Sequence, residues 1–190
     1  MLEQSLPPMR ARRMRSYRKP ADRLHCLAGW LLLARVLGGG LDEFLLEYSP
    51  HGKPFLRNGP EFSLSHSGDF VLLAIGDASV GADIEQWRDE NHASLARAAF
   101  HPDEFAALDA ADMPRQFYEL WVLKESYLKM RGLGLGLDPA SFCLRGAREA
   151  VFPVGGTRLF FKRYRDMPGY SVAICSVQTG WPDRVTFIAL

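Results

Sequence analysis

Twice along this chain, a stretch with the three-to-four-residue repeat of an amphipathic helix gives way to short runs with the two-residue repeat of strands. The changeover falls near residues 80–85. In the first half the helix is predicted from Asp22, with Leu24, Leu27, Ala28, Leu31 and Arg35 on one stripe and a stop at Gly38-Gly39-Gly40. A turn-rich piece around Ser49–Pro54 follows. Strands are then expected over Glu61–Ser65, Asp69–Ile75 and Val80–Glu85, the first two joined by a turn at His66–Gly68. The second half opens with a helical region, Ala93–Leu108, interrupted at His101-Pro102. A stronger helix runs from Pro114 to Arg131, before Gly132. Its stripe is Phe117, Leu120, Trp121, Lys124 and Leu128, and three strands, Arg158–Tyr164, Tyr170–Ser176 and Arg184–Leu190, close the chain. Residues 1–19 show no clear period. The expected architecture is α+β: one compact domain of two similar halves, 1–80 and 81–190, each a helix on a small antiparallel sheet.

Charge narrows the partners. The net formal charge of +1 argues against a general nucleic-acid binder. Residues 1–23 nevertheless carry seven basic and two acidic groups, so an anion site near Arg10 and Arg13 is expected there. Cys26, Cys143 and Cys175 are widely spaced with no CxxC pair, which suits a reducing compartment and gives no zinc pattern. The apolar run Leu27–Leu37 is too short to cross a bilayer and contains Arg35. The reading is cytoplasmic with no membrane association; an arginine-rich mitochondrial presequence is the minority alternative.

Three segments hold the chemistry. In Gly81-Ala-Asp83-Ile-Glu85, strand geometry puts both carboxylates on one face, where they repel unless a cation joins them. Magnesium takes such oxygens and fills its other positions with phosphate and water. A bare D-x-E is more often a solvated strand face. In Trp121-Val-Leu-Lys124-Glu125-Ser-Tyr-Leu-Lys129, helical spacing lines up Trp121, Glu125 and Lys129, with Lys124 beside them. The bland alternative is a surface Glu–Lys pair, and the tryptophan in the stripe weighs against it. In Ser65-His66-Ser67-Gly68, hydroxyls, an imidazole and backbone N–H groups at a strand end suit phosphate oxygens. A serine hydrolase is disfavoured because the G-x-S-x-G elbow is missing.

In this order and spacing, the three segments closely resemble the motifs of the 4′-phosphopantetheinyl transferase superfamily, in its larger, two-halved (surfactin-synthetase-activating type) branch. The resemblance covers about residues 10–177. It implies transfer of the phosphopantetheine arm of coenzyme A to a serine of an apo acyl or peptidyl carrier protein, with release of adenosine 3′,5′-bisphosphate. It implies that Asp83, Glu85 and Glu125 hold Mg2+ against the pyrophosphate, and that Glu125 and Lys129 are catalytic. Glu125 stays open as ligand, base or both. It assigns coenzyme A contacts to Arg10, Arg13, Lys53, Ser65, His66, Lys124 and Lys129, and a supporting role to Glu104. Because both halves lie in one chain, a monomer is expected. Alternatives are a non-catalytic coenzyme A or carrier-protein binding module of the same fold, and another magnesium phosphotransferase; for the latter no P-loop or kinase motif is present.

Overall fold

Helix α1, Pro8–Ser16, opens the computed structural model, which describes residues 6, 8–38, 46–147, 149–151 and 156–190. The sequence shows no apolar period here because the residues packing inward include Arg10 beside Ala11 and Met14, while Arg12, Arg13 and Arg15 are exposed. Proline at the first turn and residues of good helix propensity make the helix anyway. Helix α2, Pro20–Val36, buries Trp30 and Leu33. Its predicted stop is described only as far as Gly38.

A short hairpin follows, β1 (Leu46–Tyr48) paired with β2 (Pro54–Leu56). Sequence reading saw only its turn, closed by Ser49 N–H to Lys53 O and Gly52 N–H to Ser49 O, both at 2.8 Å. Strands β3 (Glu61–Ser67) and β4 (Phe70–Gly76) form a second hairpin, β3 two residues longer than predicted and β4 of the predicted length but one residue later. Phe62 of β3 packs edge-on to Trp30 of α2 in a small core shared with α1.

Strand β5 (Val80–Gln86) begins a four-stranded antiparallel sheet ordered β5-β8-β7-β6, where β6 is Glu149–Val151, β7 Arg158–Tyr164 and β8 Tyr170–Ser176. The fourth strand is therefore β6 and not the predicted Arg184–Leu190. That segment follows Pro182 and makes no ladder; it lies along the hairpin, with Phe187 edge-on to Phe70. Between β5 and the other strands run α3 (His92–Ala99), α4 (Pro102–Phe105) and α5 (Met113–Arg131), with the predicted break at His101-Pro102. The antiparallel ladders and the helices packed on them make the fold α+β.

Helix α5 lies on the sheet over a core of Phe117, Leu120, Leu123, Leu128, Leu159 and Ala173. Its C-terminus is closed by Gly132 in the left-handed region, φ 65°. The contact with β5 is very close. A Cβ on Gly81 would sit 1.9 Å from Ser126 O and 2.2 Å from Met130 N. Only a residue without a side chain lets the strand and helix meet there. No described helix is long and apolar enough to cross a membrane, and all three cysteines are free thiols.

Gly81→Ala is expected to cost about 3 kcal/mol, because the obstruction is backbone and cannot rotate away. Urea unfolding measures this; an unchanged midpoint would show that α5 can lift off β5 without cost.

Candidate functional site

The carboxylates sit where β5 and α5 diverge from their contact at Gly81. Asp83 is 2% exposed. Its Oδ1 accepts hydrogen bonds from Ser65 Oγ at 2.7 Å and from the Lys129 ammonium at 2.5 Å. Its Oδ2 is buried with no hydrogen-bond partner among the described residues. Two residues on, Glu85 accepts a hydrogen bond from Ser67 Oγ at 2.8 Å through Oε2. Burial, and then the charge of Asp83, push the Glu85 carboxyl above the usual glutamate range, against the Ser67 hydrogen bond and Lys129. Glu125, on α5, is raised by the same two causes, with Glu85 adding to them and Lys129 opposing. The structure thus gathers Asp83, Glu85, Glu125, Lys129 and Ser65.

Among the described residues, no three carboxylate, imidazole or thiolate groups converge tightly enough to enclose an ion alone. Magnesium does not require that, since it commonly binds one or two carboxylates plus substrate oxygens and waters. The orphaned Asp83 Oδ2 and three carboxyl groups facing one ammonium make a donor set that fits a hard divalent cation.

The hydroxyls come from β3, and they do more than meet carboxylates. Ala82, Ile84 and Gln86 of β5 donate their N–H groups to Ser63, Ser65 and Ser67 Oγ at 2.9, 3.5 and 3.0 Å. Sequence reading singled out Ser65 as a phosphate contact. The structure buries it and commits its hydroxyl to Asp83, Lys129 and β5. Ser63 and Ser67 were not assigned roles, although the two-residue spacing of three serines was visible.

His66 points to the other face of β3, where it stacks on His25 of α2, centroids 4.6 Å apart and planes at 19°. Its ring edge is exposed, yet desolvation, then His25 and Lys129, lower its proton affinity. His25, which sequence reading missed, bonds Gly68 O through Nε2 at 2.9 Å. Arg10 and Arg13 are one turn apart on α1. Arg10 is buried, its guanidinium 4.8 Å above the Trp30 ring and its Nε without a hydrogen-bond partner. Arg13 is exposed, 5.9 Å over the Tyr48 ring, and its Nε donates to Tyr17 OH at 3.4 Å. The Lys53 ammonium is spent on two main-chain carbonyls, Val80 O at 3.1 Å and Met130 O at 3.2 Å, which strap β5 to the end of α5. Burial lowers its proton affinity.

Lys124 requires a correction. It was expected to meet the pyrophosphate, but its side chain has no exposure. The ammonium pairs with Glu104 Oε2 at 2.7 Å and donates to Pro139 O at 2.8 Å and Phe142 O at 2.6 Å, 4.3 Å from the Phe142 ring centroid. Helical spacing alone does not tell which side of the Trp121–Lys129 stripe faces the core. Glu104 in turn caps α4 through His101 N–H at 2.9 Å and accepts Leu144 N–H at 2.5 Å. The pair fixes α4, α5 and the 139–144 segment to one another.

A cavity of about 570 Å³ lies away from the carboxylates, between the 178–188 segment and β4, and no acidic residue lines it.

Residues 79–175 match the model of the 4′-phosphopantetheinyl transferase superfamily. The chain is similar to the 4′-phosphopantetheinyl transferase Sfp of Bacillus subtilis strain 168, 29% identical over 197 residues, covering 97% of this chain and 88% of the relative. It is 33% identical over 157 residues to the 4′-phosphopantetheinyl transferase psf-1 of Bacillus pumilus, covering 78% and 67% of the two. A phosphopantetheinyl transferase of Thraustochytrium is 36% identical over 170 residues, 75% of this chain and 59% of the relative.

Two outcomes follow from this geometry. Lys124→Met leaves Glu104 buried and unpaired, so it is expected to cost about 3–5 kcal/mol. Normal stability for Lys124→Met would restore a surface role. For Glu125 the sign is opposite. The folded state holds its proton more tightly than the unfolded chain, so its contribution falls as pH rises from the ordinary glutamate range through the raised value. In metal-free buffer, Glu125→Gln should therefore melt higher than wild type at about pH 8, with the gain vanishing near about pH 4. A lower melting temperature across that whole range would contradict it.

Proposed function

This chain belongs to the 4′-phosphopantetheinyl transferase superfamily, and from that premise we propose that it transfers the 4′-phosphopantetheine arm of coenzyme A to a serine of an apo acyl or peptidyl carrier protein. One observation supports this reading above the others: three mutually repelling carboxyl groups, one with an unpartnered buried oxygen, beside the Lys129 ammonium.

Asp83, Glu85 and Glu125 are the residues that would hold Mg2+. When bound, the ion supplies neutralisation of negative charge on the pyrophosphate and its leaving group. The rest falls to the protein. Lys129, drawn to Asp83 in the structure, is the cation able to meet pyrophosphate oxygens. The carrier serine oxygen attacks the β-phosphorus. The bond from that phosphorus to the bridging oxygen breaks, and adenosine 3′,5′-bisphosphate leaves with the bond's electrons. The serine proton passes to Glu125, directly or through one water, and the raised proton affinity of that carboxyl suits it to the task. Arg10 and Arg13 on α1 are proposed to grip the 3′-phosphate, with His66 and Lys53 bordering the nucleotide. Strands β3 and β5 of the one chain both supply side chains to the site, which supports the reading that the enzyme works as a monomer, and its proposed location is the cytoplasm.

Incubation with coenzyme A, Mg2+ and an apo carrier protein should raise the carrier's intact mass by one phosphopantetheine. Glu125→Gln should lower turnover by a factor on the order of 10² to 10⁴ while changing coenzyme A affinity little. No mass gain, with coenzyme A still bound, would replace this reading by the non-catalytic binding module.

A further inference from the structure

Of the hydroxyls that β3 sends toward β5, one carries a consequence beyond the transfer chemistry. Ser67 is 4% exposed and sits at the end of the row Ser63, Ser65, Ser67. Its Oγ accepts the Gln86 N–H at 3.0 Å and stands 2.8 Å from Glu85 Oε2. A hydroxyl has one hydrogen and two lone pairs. With a lone pair committed to Gln86, the hydrogen is directed at the carboxylate.

The parallel case is Ser65, which receives Lys129 Nζ at 2.8 Å and gives its hydrogen to Asp83 Oδ1. Asp83 therefore has both a hydroxyl and an ammonium on one oxygen. On Glu85, the hydrogen bond comes from Ser67. Glu85 is exposed to more rotational freedom than Asp83, because its side chain is longer and its residue less buried. Ser67 holds it from the neighbouring strand β3.

Resting on the reading of Asp83, Glu85 and Glu125 as ligands, we infer that Ser67 is a positioning residue for metal binding. It holds Oε2 of Glu85 against β3, so that Oε1 is the oxygen left to coordinate. Partners of this kind typically change metal affinity by about 10–100-fold when removed, because the ligand must then be ordered at the moment of binding. Ser63 makes the control. It accepts the Ala82 N–H at 2.9 Å in the same row but meets no carboxylate among the described residues.

The test measures metal binding apart from turnover. Mn2+ serves as the probe, titrated by electron paramagnetic resonance into full-length protein with coenzyme A and no carrier. Ser67→Ala should weaken Mn2+ binding by about tenfold or more. It should raise the Mg2+ concentration for half-maximal transfer by a similar factor, with turnover at saturating Mg2+ held within about threefold. Ser67→Thr, which keeps the donor, should stay near wild type, and Ser63→Ala should lower thermal stability without moving Mn2+ affinity. Should Ser67→Ala not fold, Ser67→Cys keeps the size with a weak donor and carries the same comparison. Unchanged Mn2+ affinity in the Ser67 variant, or an equal loss in Ser63→Ala, overturns the inference. Those results leave the transferase reading intact provided the wild type modifies the carrier; a wild type that does not modify it removes the reading itself.

Discussion

Everything at the site depends on how closely α5 can approach β5, and that distance is set by a missing side chain. Gly81 lies against the backbone of Ser126 and Met130, two residues four apart on the helix. Glu125 and Lys129 precede them by one position each, so they occupy the neighbouring ridge of the same helix. Asp83 and Glu85 continue the face of β5 that Gly81 begins. Once the glycine lets the two backbones touch, the carboxylates and the lysine follow from periodicity alone. The spacing of G-x-D-x-E and of K-E-x-x-x-K is thus a packing constraint first and a chemical pattern second.

Two groups of buried charge on this scaffold have opposite character. Glu104 and Lys124 are matched one to one, and each makes further hydrogen bonds to backbone: His101 and Leu144 donate to the glutamate, while Pro139 and Phe142 accept from the lysine. Such a pair is costly to break and has nothing left to offer a ligand. Around Asp83, three carboxyl groups lie near the Lys129 ammonium, one carboxylate oxygen has no partner among the described residues, and two of the carboxyl groups are pushed toward their neutral form. An interior imbalance of that kind is what a functional site looks like electrostatically. The adjacent residues Lys124 and Glu125 fall on opposite sides of this divide because consecutive helical positions are about 100° apart.

That same point explains where the sequence was readable. Strands β3, β4, β5, β7 and β8 and helices α2 and α5 were visible because their apolar residues repeat with the right period and Gly or Pro marks their ends. Helix α1 was not, since its inward face is two small or flexible apolar residues and an arginine stacked on Trp30. The strands β1, β2 and β6, three residues each, are too short to show alternation. Val185-Thr-Phe-Ile looked like a strand, and tertiary competition decided otherwise: β7 already had β8 on one edge and β6 on the other. At the site, the chemical identity of Asp83, Glu85, Glu125 and Lys129 could be read from the motifs. What each cation faces could not, as Lys124 and Lys53 show, because that depends on partners 15 to 77 residues away.

The serine row shows how structural and chemical demands can be met by one set of atoms. Strand β5 is the edge of its sheet, with β8 on one side. The N–H groups of Ala82, Ile84 and Gln86 face the other side, where an unpaired edge in a buried setting would be costly. Backbone pairing with β3 would satisfy them but would also carry the hairpin into the plane of the sheet, away from α2. Serine hydroxyls satisfy them instead while β3 stays in its own hairpin, packed on α2. An aliphatic residue could not do this, and a carboxamide would be longer than the gap. Because a hydroxyl that accepts still has a hydrogen to give, closing the edge of β5 leaves Ser65 and Ser67 each with a donor aimed at a carboxylate of the strand they have just closed. The joint between the β3–β4 hairpin and β5 and the orientation of Asp83 and Glu85 are therefore a single arrangement, and a change that loosens one loosens the other.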